Sequence, residues 1–202
     1  MPTSDAENVI KLYQEHAASF EEQRGRDLFE RNWLDAFVRT MPPAGVDVLD
    51  VGCGNGMPLA GYLIEQGCRI TGVDGAAEMI DRATVNFPDQ SWLVADMRKL
   101  PEMKRFHGII AWHSFFHLTF EDQRQMFATF DRLSAAGAAL MFTSGPAHGE
   151  AIGTFEGQPL YHSSLDSSEY RDLLQAYGFT VVDHVKEDPS CGGATVWLAR
   201  KA

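Results

Sequence analysis

Three absences narrow the reading before any motif is considered. Basic side chains are scarce, with 17 Lys and Arg against 28 Asp and Glu and a formal charge of −11. Such a field repels a polyphosphate backbone, so a nucleic-acid partner is not expected. The densest basic stretch, "DMRKLPEMKRF" at 96–106, is interrupted by acids. Cysteine is equally sparse: Cys53, Cys68 and Cys191 are scattered, with no CxxC or Cys/His spacing. A zinc site or other metal site is therefore not expected, and free thiols in a reducing compartment are. No apolar run reaches the length that spans a bilayer, so no membrane partner is expected. The opening "MPTSDAENVI" lacks the basic and apolar regions of a secretory signal, which makes the cytoplasm the expected location.

What is present is an alternation of strand-like and helix-like segments over 202 residues, enough for one α/β domain with a sizeable core. Residues 5–40 read as one or two amphipathic helices, with Val9, Ile10, Leu12, Tyr13 and Phe20 on one face. Met41-Pro42-Pro43 stops them, dividing a helical cap (1–43) from an α/β core (44–202). Strands are expected at 46–52, 69–74, 91–96, 106–113 and 138–144, followed by "FTVVDHVKED" and "ATVWLARK". The last two have no helix between them and read as an antiparallel pair at a sheet edge. Helices are expected at 58–66 and 76–87, from a Thr119/Asp122 capping box to Leu133, and from Asp166 to Tyr177. The 144–165 connection is too long for a simple link and reads as a substrate loop.

The chemistry gathers where the first strand ends, in "VLDVGCGNGM" (48–57). Glycines there let the backbone turn sharply and approach a ligand closely. Met57 stands where the dinucleotide fingerprint needs its third glycine, and no lysine follows to make a P-loop. A diphosphate ligand is therefore disfavoured. Asp74 closes the second strand, 22 residues after Gly52, where a carboxylate can accept both hydroxyls of a ribose. Asp96 closes the third, beside a backbone that can read an adenine edge, and Met79 can pack on the adenine face. The ligand reads as a nucleoside without a diphosphate.

The segments "VLDVGCGNGMPLA", "ITGVD", "WLVADM" and "FHGIIAWHSFFHL" resemble successive motifs of class I S-adenosylmethionine (SAM)-dependent methyltransferases. "YQEHAASFEEQRGRD" is similar to the helical cap of the small-molecule members. The resemblance implies a Rossmann-like, seven-stranded, mostly parallel sheet with one antiparallel edge strand, helices on both faces and an N-terminal helical cap. It implies that Asp50 and the loop Gly52, Cys53, Gly54 and Gly56 hold the methionine part of SAM. Asp74 and Gly75 would hold the ribose, and Met79, Asp96 and Met97 the adenine. Trp112 and His113 would line the sulfonium region, and Tyr13 and Arg24 would reach the carboxylate or amine of SAM. The implied reaction is methyl transfer to a small-molecule acceptor.

Candidates for a catalytic base are His113, His117 and His162, with Tyr161 and Asp188 as helpers; His117 is either a proton acceptor or a pocket wall, and Asp188 in "EDPSCGG" (187–193) reads more readily as a turn residue than a catalytic one. Two other readings remain: a Rossmann oxidoreductase that binds a nucleotide, and a SAM-binding regulator without turnover.

Overall fold

A computed structural model describes residues 3–202. Three helices, α1 (Thr3–Glu15), α2 (Ala17–Arg24) and α3 (Arg31–Thr40), precede the first strand. The sequence suggested one or two. The additional break follows Arg24, where Gly25 takes a left-handed backbone at φ 63° that a continuing helix cannot hold. Val9 and Leu12 are buried against the later segment Leu160–Tyr161, and Tyr13 and Phe20 pack towards Met79.

The core follows in the order β1 (Asp47–Val51), α4 (Leu59–Glu65), β2 (Arg69–Asp74), α5 (Ala77–Asn86), β3 (Ser91–Val94), β4 (Phe106–Ala111), α6 (Phe120–Leu133) and β5 (Ser134–Ser144). It continues with β6 (Gly149–Phe155), β7 (Gln158–Ser164), α7 (Ser167–Ala176), β8 (Phe179–Asp188) and β9 (Ala194–Lys201). Seven strands form one sheet in the order β3-β2-β1-β4-β5-β9-β8. β1 to β5 pair in parallel, and β9 is antiparallel to both β5 and β8. The expected antiparallel pair is at the sheet edge, with β8 as its outermost strand.

Period-2 alternation explains why the central strands are apolar throughout. Leu49, Val51, Ile109 and Ala111 face one core with Phe115, Phe127, Phe130 and Trp197. Val48, Ile110 and Trp112 face the other, beneath Trp33, Phe37, Leu59 and Leu63. Helices α6 and α7 cover the first face, and α3 and α4 the second. The Thr119/Asp122 pair does cap α6: Thr119 Oγ1 accepts from the Asp122 amide at 3.2 Å and donates to its carboxylate at 2.9 Å.

Residues 144–165 hold more structure than the sequence suggested. They fold as the β6–β7 hairpin, a separate two-stranded sheet turned at Glu156-Gly157. Both turn residues have positive φ, 51° and 75°, as a tight two-residue hairpin requires. The hairpin tip lies on the cap: Gln23 Nε2 donates to Glu156 Oε1 at 2.5 Å, and the Phe155 ring lies 5.6 Å from that of Tyr13.

Candidate active site

The carboxyl ends of β1 to β4, the cap and the hairpin enclose a cavity of about 240 Å³. Open parallel sheets place their ligands at this edge. All of the residues that the resemblance assigns to the cofactor line it, namely Tyr13, Arg24, Asp50, Gly52, Cys53, Gly54, Gly56, Asp74, Gly75, Met79, Asp96, Met97, Trp112 and His113. His117 and His162 line it as well.

Its floor is the glycine loop. Gly52 has φ 73°, and a β-carbon there would stand 2.3 Å from Ser114 Cβ, closer than any real contact. Asp74 secures the loop from the next strand. Its Oδ2 accepts from the Gly54 amide and its Oδ1 from the Ala76 amide, both at 2.9 Å. Each oxygen keeps a lone pair for a ligand hydroxyl. Burial raises the Asp74 carboxyl despite those amides, which act in the opposite direction. Asp50 is 4% exposed and lies in the same basin. Burial, and then the neighbouring charge of Asp74, push it up to about 7.

At the β3 end, Asp96 is more engaged than the sequence suggested. Its carboxylate accepts from the Arg98 amide at 2.9 Å and from the Arg98 guanidinium at 2.6–3.0 Å. That pairing holds Asp96 below the usual carboxylate range, against the burial that would raise it. Arg98 also lines the cavity. Met79, 1% exposed, and Met97 give this end its soft apolar walls.

The opposite end is aromatic. The Phe116 ring is 5.7 Å from that of His113, 4.8 Å from His117 and 5.2 Å from His162. Burial lowers all three histidines, His113 to about 4 and His117 to about 3. They are neutral imidazoles at neutral pH.

The tautomer of His117 follows from its partners. Nδ1 lies 2.7 Å from the Tyr161 carbonyl, which can only accept, so Nδ1 carries the proton. Nε2 is then the acceptor for the Tyr13 hydroxyl at 3.2 Å. His113 adopts a left-handed backbone, φ 50°, and its amide donates to Thr143 Oγ1 at 2.9 Å. Bulky residues hold that conformation only where their surroundings enforce it, which is commonest at functional sites.

Of the two helpers, Tyr161 is corrected, and Asp188 takes the turn position that the sequence favoured for it. Tyr161 does not line the cavity. Its side chain is buried under α1, 1% exposed, and its hydroxyl donates to Glu150 at 2.6 Å. Neighbouring strand residues face opposite ways, so His162 faces the cavity and Tyr161 cannot. Asp188 accepts from Trp33 Nε1 at 2.8 Å and from the Ser190 amide at 2.9 Å, outside the cavity, as a turn residue. Sequence reasoning assigned no site role to Phe20, Arg98, Ser114 or Phe116, all of which line the cavity. The apolar face of the cap marked Phe20. The others follow motif residues closely but carry no chemical signature of their own.

Residues 48–137 match a family model described as a methyltransferase domain. Over 100 residues the chain is 34% identical to a trans-aconitate 2-methyltransferase of Azoarcus sp., covering 48% of this chain and 34% of that protein. Over 181 residues it is 26% identical to an O-methyltransferase of Pyrenophora dematioidea, covering 81% of this chain and 66% of that one. The matched stretch thus spans about a third of the first relative's length and just under two thirds of the second's. Among solved structures, a 1,6-didemethyltoxoflavin-N1-methyltransferase of Burkholderia thailandensis, with bound 1,6-didemethyltoxoflavin and S-adenosylhomocysteine, superposes with a TM-score of 0.75 at 20% identity. The likeness covers all of this chain and 91% of that one. The sheet order and the likeness to that solved structure show a Rossmann-like fold, and the stretch 48–137 within it is similar to a methyltransferase domain.

Proposed function

We propose that the protein is a SAM-dependent methyltransferase acting on a small-molecule acceptor. The observation that supports it best is the spatial order of the cavity's polar groups. Sheet order β3-β2-β1-β4 sets Asp96, Asp74, the glycine loop with Asp50, and then His113 side by side. This matches adenine, ribose, amino acid and reacting centre in turn. The residues fit the cofactor. Asp74 has lone pairs for two ribose hydroxyls, and Asp50 makes no hydrogen bond through its side chain among the described residues, leaving it for an ammonium. When bound, SAM supplies a methyl group already activated on a sulfonium.

The chain then has to position the acceptor and exclude water. Tyr13, His113, Phe116, His117 and His162 form the acceptor's enclosure, and the cap and hairpin shield it. His113 and His162 are the candidates to accept a proton from the nucleophile. His117, with both ring nitrogens engaged, orients Tyr13. Relatives named for trans-aconitate and 1,6-didemethyltoxoflavin favour a small molecule over a protein or nucleic acid, in keeping with the acidic chain. The cytoplasm is part of the same proposal.

Incubating the protein with methyl-labelled SAM and a metabolite extract should transfer label to a small molecule. Bound cofactor with no labelled product would favour a SAM-binding regulator instead.

A pH dependence follows from Asp50. Below about 7 its carboxyl keeps a proton and cannot pair with an ammonium; above that it is ionised. Affinity for S-adenosylhomocysteine is expected to fall about tenfold from about pH 8 to about pH 6, with the carboxyl taking up a proton. 5′-Methylthioadenosine, which has no ammonium, should change by less than about twofold by the same linkage. Calorimetry at the two pH values checks this, and equal slopes for both ligands would exclude Asp50 as the ammonium partner.

A further inference from the structure

We infer that the methyl acceptor presents a neutral amine nitrogen, one of whose hydrogens is held by the Tyr13 hydroxyl oxygen. This rests on the proposed methyl transfer, and it moves Tyr13 from the amino-acid end of SAM, where the resemblance put it, to the acceptor. A tyrosine hydroxyl has one hydrogen to give and lone pairs to receive others. That of Tyr13 is already given. His117 Nδ1 donates to the Tyr161 carbonyl at 2.7 Å, so His117 Nε2 accepts from Tyr13 Oη at 3.2 Å. Burial, and then the charge of Asp74, push Tyr13 up to about 12, and burial takes His117 down to about 3. Neither group therefore changes its proton near neutral pH. Tyr13 lines the cavity, and its hydroxyl has no other hydrogen-bond partner among the described residues. Towards a ligand it is an acceptor only, and donating to His117 makes it a better one.

A carboxylate has no hydrogen to offer this oxygen, which excludes it both as the nucleophile and as the partner of Tyr13 on SAM. The place suits the acceptor. The Tyr13 ring packs towards Met79 on the nucleoside side and lies 5.7 Å from the His117 ring on the aromatic side. Methyl group and nucleophile meet where those two sides join.

The chemistry then selects nitrogen. A hydroxyl whose only hydrogen is held by Tyr13 stays un-ionised, because the phenol cannot take the proton, and it attacks poorly. A hydroxyl turned elsewhere leaves the Tyr13 oxygen unmet, which costs free energy in a buried site. An amine keeps its lone pair free while one N–H is held. In the step, that lone pair forms the N–CH3 bond and the S–CH3 bond breaks, its electrons going to sulfur. The positive charge passes from the sulfonium to a methylammonium. The N–H facing Tyr13 becomes more positive as this happens, so the contact strengthens towards the transition state. The proton then passes to the neutral ring of His113 or His162, both in the cavity wall, and on to solvent.

The test supplies methyl-labelled SAM and a metabolite extract to the full chain, and tandem mass spectrometry locates the label in the product. The label is expected on nitrogen. A label on oxygen, sulfur or carbon overturns the inference and leaves the methyltransferase reading standing. Tyr13→Phe is expected to lower saturated turnover about tenfold, the scale of one hydrogen bond to a charged group, and to bind S-adenosylhomocysteine within about twofold of the unsubstituted protein in calorimetry. Retained binding shows that the variant has folded. Undiminished turnover in the variant, or a loss of S-adenosylhomocysteine affinity as large as the loss of turnover, also overturns the inference. Cofactor bound by the unsubstituted protein without any labelled product would instead overturn the methyl-transfer reading on which it rests.

Discussion

Asp74→Ala is expected to weaken S-adenosylhomocysteine binding by about a hundredfold, the scale of losing two hydrogen bonds to a buried charged acceptor. The carboxylate has two tasks at once. It holds the Gly54 and Ala76 amides, fixing the glycine loop against the start of α5, and it turns its remaining lone pairs into the cavity. Alanine removes the ligand contacts and leaves two buried amides without an acceptor. Asp188→Ala is the matched control. That carboxylate caps the turn Pro189–Cys191 and accepts from Trp33, outside the cavity. It should lose about 1 kcal/mol of stability through the cap, with ligand affinity within about twofold of the starting protein. Calorimetry and thermal unfolding on both variants separate the effects, and equal losses of affinity would refute the ribose assignment.

Gly52→Ala is expected to be the most damaging single-methyl change in the loop. The backbone there is left-handed, which costs a non-glycine residue about 1–2 kcal/mol. The added methyl would also stand 2.3 Å from Ser114 Cβ. Ser114 has little room to yield, because its hydroxyl donates to the Val51 carbonyl at 2.6 Å. Strain and overpacking together suggest about 3 kcal/mol, or about 6–12 °C in melting temperature for a chain of this size. Gly67→Ala separates the two contributions. Its φ is 85°, but nothing lies within 4 Å of the added carbon, so only the backbone cost applies. Scanning calorimetry should find Gly67→Ala milder by about 2 kcal/mol. Equal shifts would mean that Ser114 does not confine the loop.

The strand ends were the most legible part of the site. Asp74 and Asp96 close apolar runs, so their register against the glycine loop could be counted from the sequence alone. Met79 was legible from its place near the start of a helix and Met97 through the family resemblance, but neither route disclosed the Arg98 pairing that occupies Asp96. That contact depends on a side chain turning back two residues, which no periodicity encodes. The hairpin was illegible for two physical reasons. Glu156-Gly157 is not the Asn-Gly or Asp-Gly pair that signals a tight hairpin turn. β6 also lies almost wholly exposed, so it has no buried face to impose an alternating pattern.

Without the strand assignment, the sequence set Tyr161 in the site as a helper beside the candidate base His162. Once β7 is known, strand geometry separates them. His117 illustrates a further limit: the sequence places it in the site, but its hydrogen bonds to Tyr161 and Tyr13 are what make it an orienting residue.

The central claim is that the cavity binds a nucleoside joined to an amino acid, without a diphosphate. The most direct measurement is calorimetric titration of the full chain with S-adenosylhomocysteine and, separately, with NADH. The account predicts saturable binding of S-adenosylhomocysteine at one molecule per chain and no binding of NADH. Saturable binding of NADH, with no heat from S-adenosylhomocysteine, would contradict it.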